Sequence, residues 1–136
     1  MQTKSVPGFS LMEIMIALAI VATIAVVLAQ GIATMRNRAN INTTQQTMRN
    51  IKNAITLFHT DTGTYPETLK DLVRRPSNEE IAADWTSPYL EKVPKDAWGN
   101  DFKYILPAGD DQDYELFSYG SGGKKGSKDN RVYPKK

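Results

Sequence analysis

Residues 8–16 read Gly8-Phe9-Ser10-Leu11-Met12-Glu13-Ile14-Met15-Ile16. The glycine closes a short polar leader, and Phe9 opens an apolar run that reaches Ala29. Between Ile14 and Ala29 the one non-apolar residue is Thr23. Counted from Phe9, the run is about 20 residues long, the length that crosses a bilayer as a helix. Glu13 breaks the pattern. An ionised carboxylate in hydrocarbon costs at least about 2.5 kcal/mol, so it marks a function and calls for a partner. Cleavage between Gly8 and Phe9 creates one, since an α-amine ordinarily titrates at about 7.7–8.0 and is available as a cation. One helix turn separates Phe9 from Glu13. The pair can close within one chain or, in a staggered assembly, between neighbouring subunits.

Two plainer explanations compete. In a conventional signal peptide, Lys4 would be the charged start and Val27-Leu28-Ala29 the cleavage site. In a simple signal anchor, Glu13 would merely be tolerated. Against both stand the acid near the start of the run, the Gly-Phe junction before it, and a helical pattern that continues beyond Ala29.

The whole chain narrows the field further. Its 136 residues leave room for one small domain beside the membrane segment. A net charge of +2, with no basic cluster interleaved with stacking aromatics, argues against nucleic-acid binding. The absence of cysteine excludes a disulfide framework and thiol catalysis. Lys4 before the span is balanced by Arg36 and Arg38 after it, so charge does not set the orientation. The one histidine, His59, has Asp61 two residues on. A lone histidine at a helix end is a poor general base, and no enzymatic activity is expected.

Read in order, the chain divides into a leader (1–8), a transmembrane and assembly part of a helix (9–30), an amphipathic part (31–60) and a globular domain (61–136). No proline falls between Pro7 and Pro66, and Gly31 is the one glycine between Gly8 and Gly63, so a single helix is predicted from Phe9 to about Thr60. Ile41, Thr44, Met48, Ile51, Ile55 and Phe58 step by three and four and share one face. Gly63 suits the position just past the helix, and Pro66 blocks its continuation. A short helix is predicted over 67–74 with Leu69, Leu72 and Val73 inward. Residues 81–90 are ambiguous, with Trp85 and Tyr89 covering the core. Gly99-Asn100 reads as a turn, with Trp98 an anchor against the long helix. Phe102 to Leu106 and Tyr114 to Tyr119 read as a hairpin, and Arg131-Val132-Tyr133 as a short third strand. A hairpin is marginal alone, so the face carrying Ile51, Ile55 and Phe58 is its natural support.

The stretch from Gly8 to Ile16 resembles the processing and assembly motif of type IV pilins and pseudopilins. Later residues narrow the resemblance to the major pseudopilin of bacterial type II secretion systems: Thr64-Tyr65-Pro66 followed by Leu69 and Leu72, then Val93-Pro94-Lys95-Asp96-Ala97-Trp98-Gly99-Asn100, then Tyr114-Glu115-Leu116-Phe117-Ser118-Tyr119-Gly120. The implied fold is α+β and pilin-like: a long N-terminal helix, membrane half plus amphipathic half, packed on a small antiparallel β-sheet. The resemblance also implies cleavage between Gly8 and Phe9 by a prepilin peptidase, N-methylation of Phe9, and assembly through the Phe9 amine of one subunit and Glu13 of its neighbour.

In that family the subunit is non-enzymatic and spans the bacterial inner membrane once, with its C-terminal domain in the periplasm. It polymerises with copies of itself, alongside minor pseudopilins and an inner-membrane assembly platform. The resulting pseudopilus drives folded proteins across the outer membrane, powered by a separate ATPase; no nucleotide-binding loop occurs in this chain. A type IV pilin or minor pseudopilin of a surface fibre is the alternative, disfavoured by the missing cysteines and by Asp96-Ala97-Trp98-Gly99. The sequence departs from the family where Gln30-Gly31 replaces a proline. It departs again where Lys52 and Thr56 replace acids that pair with neighbours.

The family's C-terminal loop binds calcium, and the matching ligands are Leu116 by its carbonyl, Ser118 and Asp129. Here Gly122 stands in place of one ligand aspartate and Asn130 in place of another. Lys124, Lys125, Lys128 and Arg131 surround the single carboxylate, a poor setting for a divalent cation. No cofactor is therefore expected. The loop is expected to be held by hydrogen bonds and weak ion pairs, with Asp110, Asp111 and Asp113 attracting it, rather than by a degraded calcium site.

Overall fold

A computed structural model describes residues 8–106, 114–125 and 131–134. The chain forms two compact units, Met1–Arg38 and Ala39–Lys136. Helix α1, Leu11–Thr62, runs through the boundary between them. Its start and end lie within two residues of those expected. The helix passes through Gly31, where an added side chain would meet nothing within 4 Å.

In the first unit every described residue is exposed. The helix there presents apolar side chains on all sides, which marks a segment meant for an apolar surrounding. The hydroxyl of Thr23 donates to the carbonyl of Ala19 at 2.9 Å. The one polar side chain inside the run therefore satisfies itself within the helix, as a lipid setting demands.

In the second unit the sequence periodicity translates directly into burial. Thr44, Met48, Ile51, Ala54, Ile55 and Phe58 are the buried residues of α1. Met48, Ile51, Ile55 and Phe58 are fully enclosed, each worth about 1.5–3 kcal/mol of transfer free energy. Gly63 ends the helix with a φ of +73°, and its N–H donates to the carbonyl of His59 at 2.9 Å. That left-handed conformation is the reason for glycine here.

The short helix expected over 67–74 tightens to a single 3-10 segment, Leu69–Leu72. Three residues per turn place Leu69 and Leu72 on the same side, and both are buried. Asp71 Oδ2 fixes its start by accepting from the N–H of Thr68 at 2.8 Å. The ambiguous stretch begins as helix α2, Glu79–Asp84, whose first turn is capped by Asn78 Oδ1 accepting from the N–H of Glu80 at 3.0 Å. Beyond it Trp85 Nε1 donates to the carbonyl of Asp71, and the Tyr89 ring meets Phe58 edge-on at 5.5 Å. Both aromatics cover the core as expected.

Strands β1, Lys103–Ile105, and β2, Glu115–Phe117, pair antiparallel, with Tyr104 opposite Leu116. The loop joining them, 107–113, lies outside the described residues, as do Asp110, Asp111 and Asp113. The expected third strand contracts to one bridge, Ser118 to Val132, made by two reciprocal bonds of 2.9 Å. Phe102, Leu116 and Val132 close the core against Ile51, Ile55 and Phe58. The hydroxyl of Tyr104 donates to the carbonyl of Pro66 at 2.8 Å and ties the hairpin to the helix exit. Burial, reinforced by the neighbouring Tyr114 and Tyr65, holds the Tyr104 phenol well above its ordinary range.

Candidate functional site

Two places carry the residues singled out by the sequence. The first is the start of α1. Gly8 and Phe9 are exposed and precede the helix. Nothing lies within 4 Å of a side chain added at Gly8, and its φ is not in the left-handed region. The chain itself therefore does not require glycine there.

Ser10 is the helix cap. Its Oγ accepts from the N–H of Glu13 at 3.2 Å, and Glu13 Oε2 accepts from the N–H of Ser10 at 3.1 Å. This is a capping box, which satisfies two backbone donors that a helix start otherwise leaves unpaired. Its signature, Ser10-x-x-Glu13, is legible in the sequence. Glu13 is the one carboxylate among residues 8–39. One of its oxygens already has a partner in its own backbone.

The second place is the turn Asp96–Asn100 and the segment beyond β2. Asp96 is buried, and its carboxylate accepts three bonds. Oδ1 takes the N–H of Trp98 at 3.0 Å and of Asn100 at 2.8 Å; Oδ2 takes the hydroxyl of Ser118 at 2.6 Å. The first two fold the turn locally, helped by Gly99 at φ +83°. The third reaches 22 residues along the chain. Thr44 Oγ1 on α1 accepts from the N–H of Ala97 at 3.1 Å, and Asn100 Nδ2 donates to the carbonyl of Gly120 at 3.2 Å. The turn that Asp96 folds thereby joins α1 to the C-terminal segment. The role of Asp96 was not anticipated, because its decisive partner is distant in sequence.

Of the three residues matching calcium ligands, Leu116 buries its side chain in the core, Ser118 is fully buried, and Asp129 lies outside the described residues. The Ser118 hydroxyl donates to Asp96 and accepts from the N–H of Gly120 at 2.9 Å; its carbonyl accepts from Val132. Among the described residues no group of three acids or histidines converges. Calcium takes six to eight oxygens, several of them charged. The described donors do not fit that demand.

His59 and Asp61 are each committed elsewhere. The His59 ring stacks on Tyr65 at 4.4 Å, and Asp61 Oδ2 accepts the Tyr89 hydroxyl at 2.8 Å. Burial first, and then that carboxylate, push the Tyr89 phenol above its ordinary value.

Asp96→Ala removes the acceptor of three donors at once. The expected loss is about 3–5 kcal/mol, since a fully buried donor left unpaired costs about 1–3 kcal/mol and the two part-buried turn amides fall at the low end of that range. Asp96→Asn keeps an acceptor for the two turn amides and should cost clearly less. Denaturant melts of both variants check this ordering.

An exposed apolar helix headed by one carboxylate, running into a small α+β domain, defines a pilin-like subunit. The family described as "Type II secretion system (T2SS), protein G" matches residues 31–133, and the "Prokaryotic N-terminal methylation motif" matches residues 4–29. The type II secretion system core protein G of Pseudomonas aeruginosa is 31% identical over 134 residues, covering 96% of this chain and 94% of that protein. The core protein G of Vibrio cholerae is 30% identical, covering 88% of this chain and 83% of that protein. The crystal structure of the major pseudopilin from the type 2 secretion system of enterohaemorrhagic Escherichia coli shares the fold. Its TM-score is 0.62 at 20% identity, over 73% of this chain and 85% of that one. The chain belongs to the type II secretion system protein G family.

Proposed function

We propose that this protein is the structural subunit of a type II secretion pseudopilus, polymerising through its N-terminal helix to drive folded proteins across the outer membrane. The observation that carries this reading is the first unit of the fold. Every described residue there is exposed, and almost every one up to Ala29 is apolar. Such a face needs cover. Lipid covers it in the subunit pool, and copies of the same helix cover it in the filament. The globular domain then sits in the periplasm. A prepilin peptidase cuts between Gly8 and Phe9 and the new amine is methylated; the open surroundings of Gly8 fit a demand for glycine that comes from the enzyme's cleft.

Glu13 meets the Phe9 amine of a neighbour in the filament. Minor pseudopilins and an inner-membrane platform are the further partners, and the subunit has no catalytic role of its own. Co-expression with the remaining components tests this. Filaments bearing the chain are expected, and Gly8→Asp should hold the uncut subunit in the membrane. Filaments built equally well from Gly8→Asp would refute the processing step.

We further infer that the C-terminal segment is held by Asp96 and Ser118 without calcium. Titrating calcium into the chelated domain should leave its melting temperature unchanged. A rise of several degrees at sub-millimolar calcium, abolished by Asp129→Ala, would show instead that an ion holds it.

A further inference from the structure

The apolar run ends at Ala29, and the next charged residues are Arg36 and Arg38. Both lie on α1 in the first unit of the fold, and both are exposed. No aspartate or glutamate occurs in residues 14–60. Among the described residues the one ion pair is Lys95–Asp101, so neither guanidinium has a carboxylate beside it. Two uncompensated cations thus stand just past a segment long and apolar enough to cross a membrane.

Helix geometry gives their depth. With Leu11 at one edge of the hydrocarbon, the Cα atoms of Arg36 and Arg38 stand about 38 Å and about 41 Å along the axis, at about 1.5 Å per residue. The hydrocarbon is about 30 Å thick and each headgroup layer adds about 5–8 Å, so the far headgroups end about 35–38 Å from Leu11. Every Cα–Cβ bond of a helix tilts toward its N-terminus, and a long arginine side chain bends further to keep its head at the interface. Here that direction leads back into the headgroups and brings both guanidinium groups level with the lipid phosphates.

The spacing also selects the partner. Residues two apart on a helix point in directions about 200° apart. A protein docking on α1 covers one side and meets one of the two arginines. Lipids surround a single span and meet both. A guanidinium matches phosphate oxygens with two parallel hydrogen bonds, which a lysine ammonium does not.

We infer that Arg36 and Arg38 each bind the phosphate of a separate lipid, on opposite flanks of α1, in the leaflet where the span ends. This rests on the membrane span proposed above and adds a polar anchor that an apolar run lacks. Apolar burial alone leaves a helix free to tilt and slide, whereas interfacial anchors set its position. The two contacts fix the depth of the span, and a subunit that leaves the lipid for a filament must release them.

The test uses the full-length chain, with isotope-labelled arginine nitrogens, reconstituted into vesicles of phosphatidylglycerol and phosphatidylethanolamine. Solid-state nitrogen–phosphorus dipolar recoupling reads guanidinium groups that touch lipid phosphorus. The unaltered chain should give a clear signal. Arg36→Gln combined with Arg38→Gln should float with the vesicles as before and lose that signal, while each single variant keeps part of it. In vesicles of a phosphate-free glycolipid, added inorganic phosphate should give none. Four results would overturn the anchor and leave the span standing: no signal from the unaltered chain, a full signal from the double variant, complete loss in one single variant, or an equal signal from inorganic phosphate on the glycolipid. Failure of the unaltered chain to float with the vesicles would overturn both.

Discussion

Ile55→Asp is expected to leave residues 36–136 without a cooperative melting transition. Ile55 is fully enclosed in the cluster that Met48, Ile51, Phe58, Leu72 and Leu116 build between α1 and the hairpin. Truncating a side chain there costs about 2–5 kcal/mol. An unpaired carboxylate enclosed among the same neighbours adds about 3–5 kcal/mol, the scale measured when a buried charge loses its partner. A domain of this size holds roughly 5–15 kcal/mol in all, so the sum takes most or all of it. Leu57→Asp is the control, because Leu57 points outward from the same helix and is 57% exposed. It should melt within about 0.5 kcal/mol of the unaltered domain. Circular dichroism on heating reads both. Equal melting of the two variants would mean that the Ile55 face does not meet the hairpin.

Glu13→Val is expected to insert normally into the membrane and to abolish filament assembly. Insertion should even improve, because a costly polar group leaves the hydrocarbon. Assembly should fail because the Phe9 amine of the next subunit loses its counter-charge. The capping box separates this cause from a simpler one. Valine removes both the charge and the acceptor for the Ser10 N–H. Glutamine at the same helical position retains the cap while removing the charge. If the charge matters, Glu13→Gln should fail like Glu13→Val. If Glu13→Gln assembles at the normal level while Glu13→Val does not, the carboxylate acts as a helix cap and the pairing with Phe9 is wrong. Cross-linked ladders of membrane-embedded subunits report both variants.

What the sequence made legible follows from the range of the forces involved. The long helix was readable because every signal for it is local: no proline from residue 8 to 65, a three-and-four apolar step from Ile41 to Phe58, and Gly63 at the exit. The hairpin was readable from two alternating runs, and Trp85 and Tyr89 from their size. Residues 81–90 were not, because α2 is held by a cap on Asn78 and then gives way to chain anchored by Trp85 and Tyr89 on Asp71 and Leu72. The third strand contracts to one bridge because, among the described residues, Val132 alone of 131–133 pairs with another segment's backbone, on Ser118. The Asp96 junction was invisible for the opposite reason to the helix. Its turn is local, but its meaning comes from Ser118 and, through Ala97, from Thr44, 53 residues away. At the helix start the pattern Ser10-x-x-Glu13 was present in full. There Glu13 closes a cap with the N–H of Ser10, and the proposed pairing with a neighbour's amine would draw on the same carboxylate.

On the function proposed above, the chain enters its assembly from Phe9 and not from its first methionine. Intact-mass and N-terminal peptide spectrometry of the subunit purified from membranes checks this. The expected mature chain begins at Phe9 with one methyl group on its amine, and the released leader ends at Gly8. A chain that begins at Gln30, or one that retains residues 1–8 inside filaments, would contradict it.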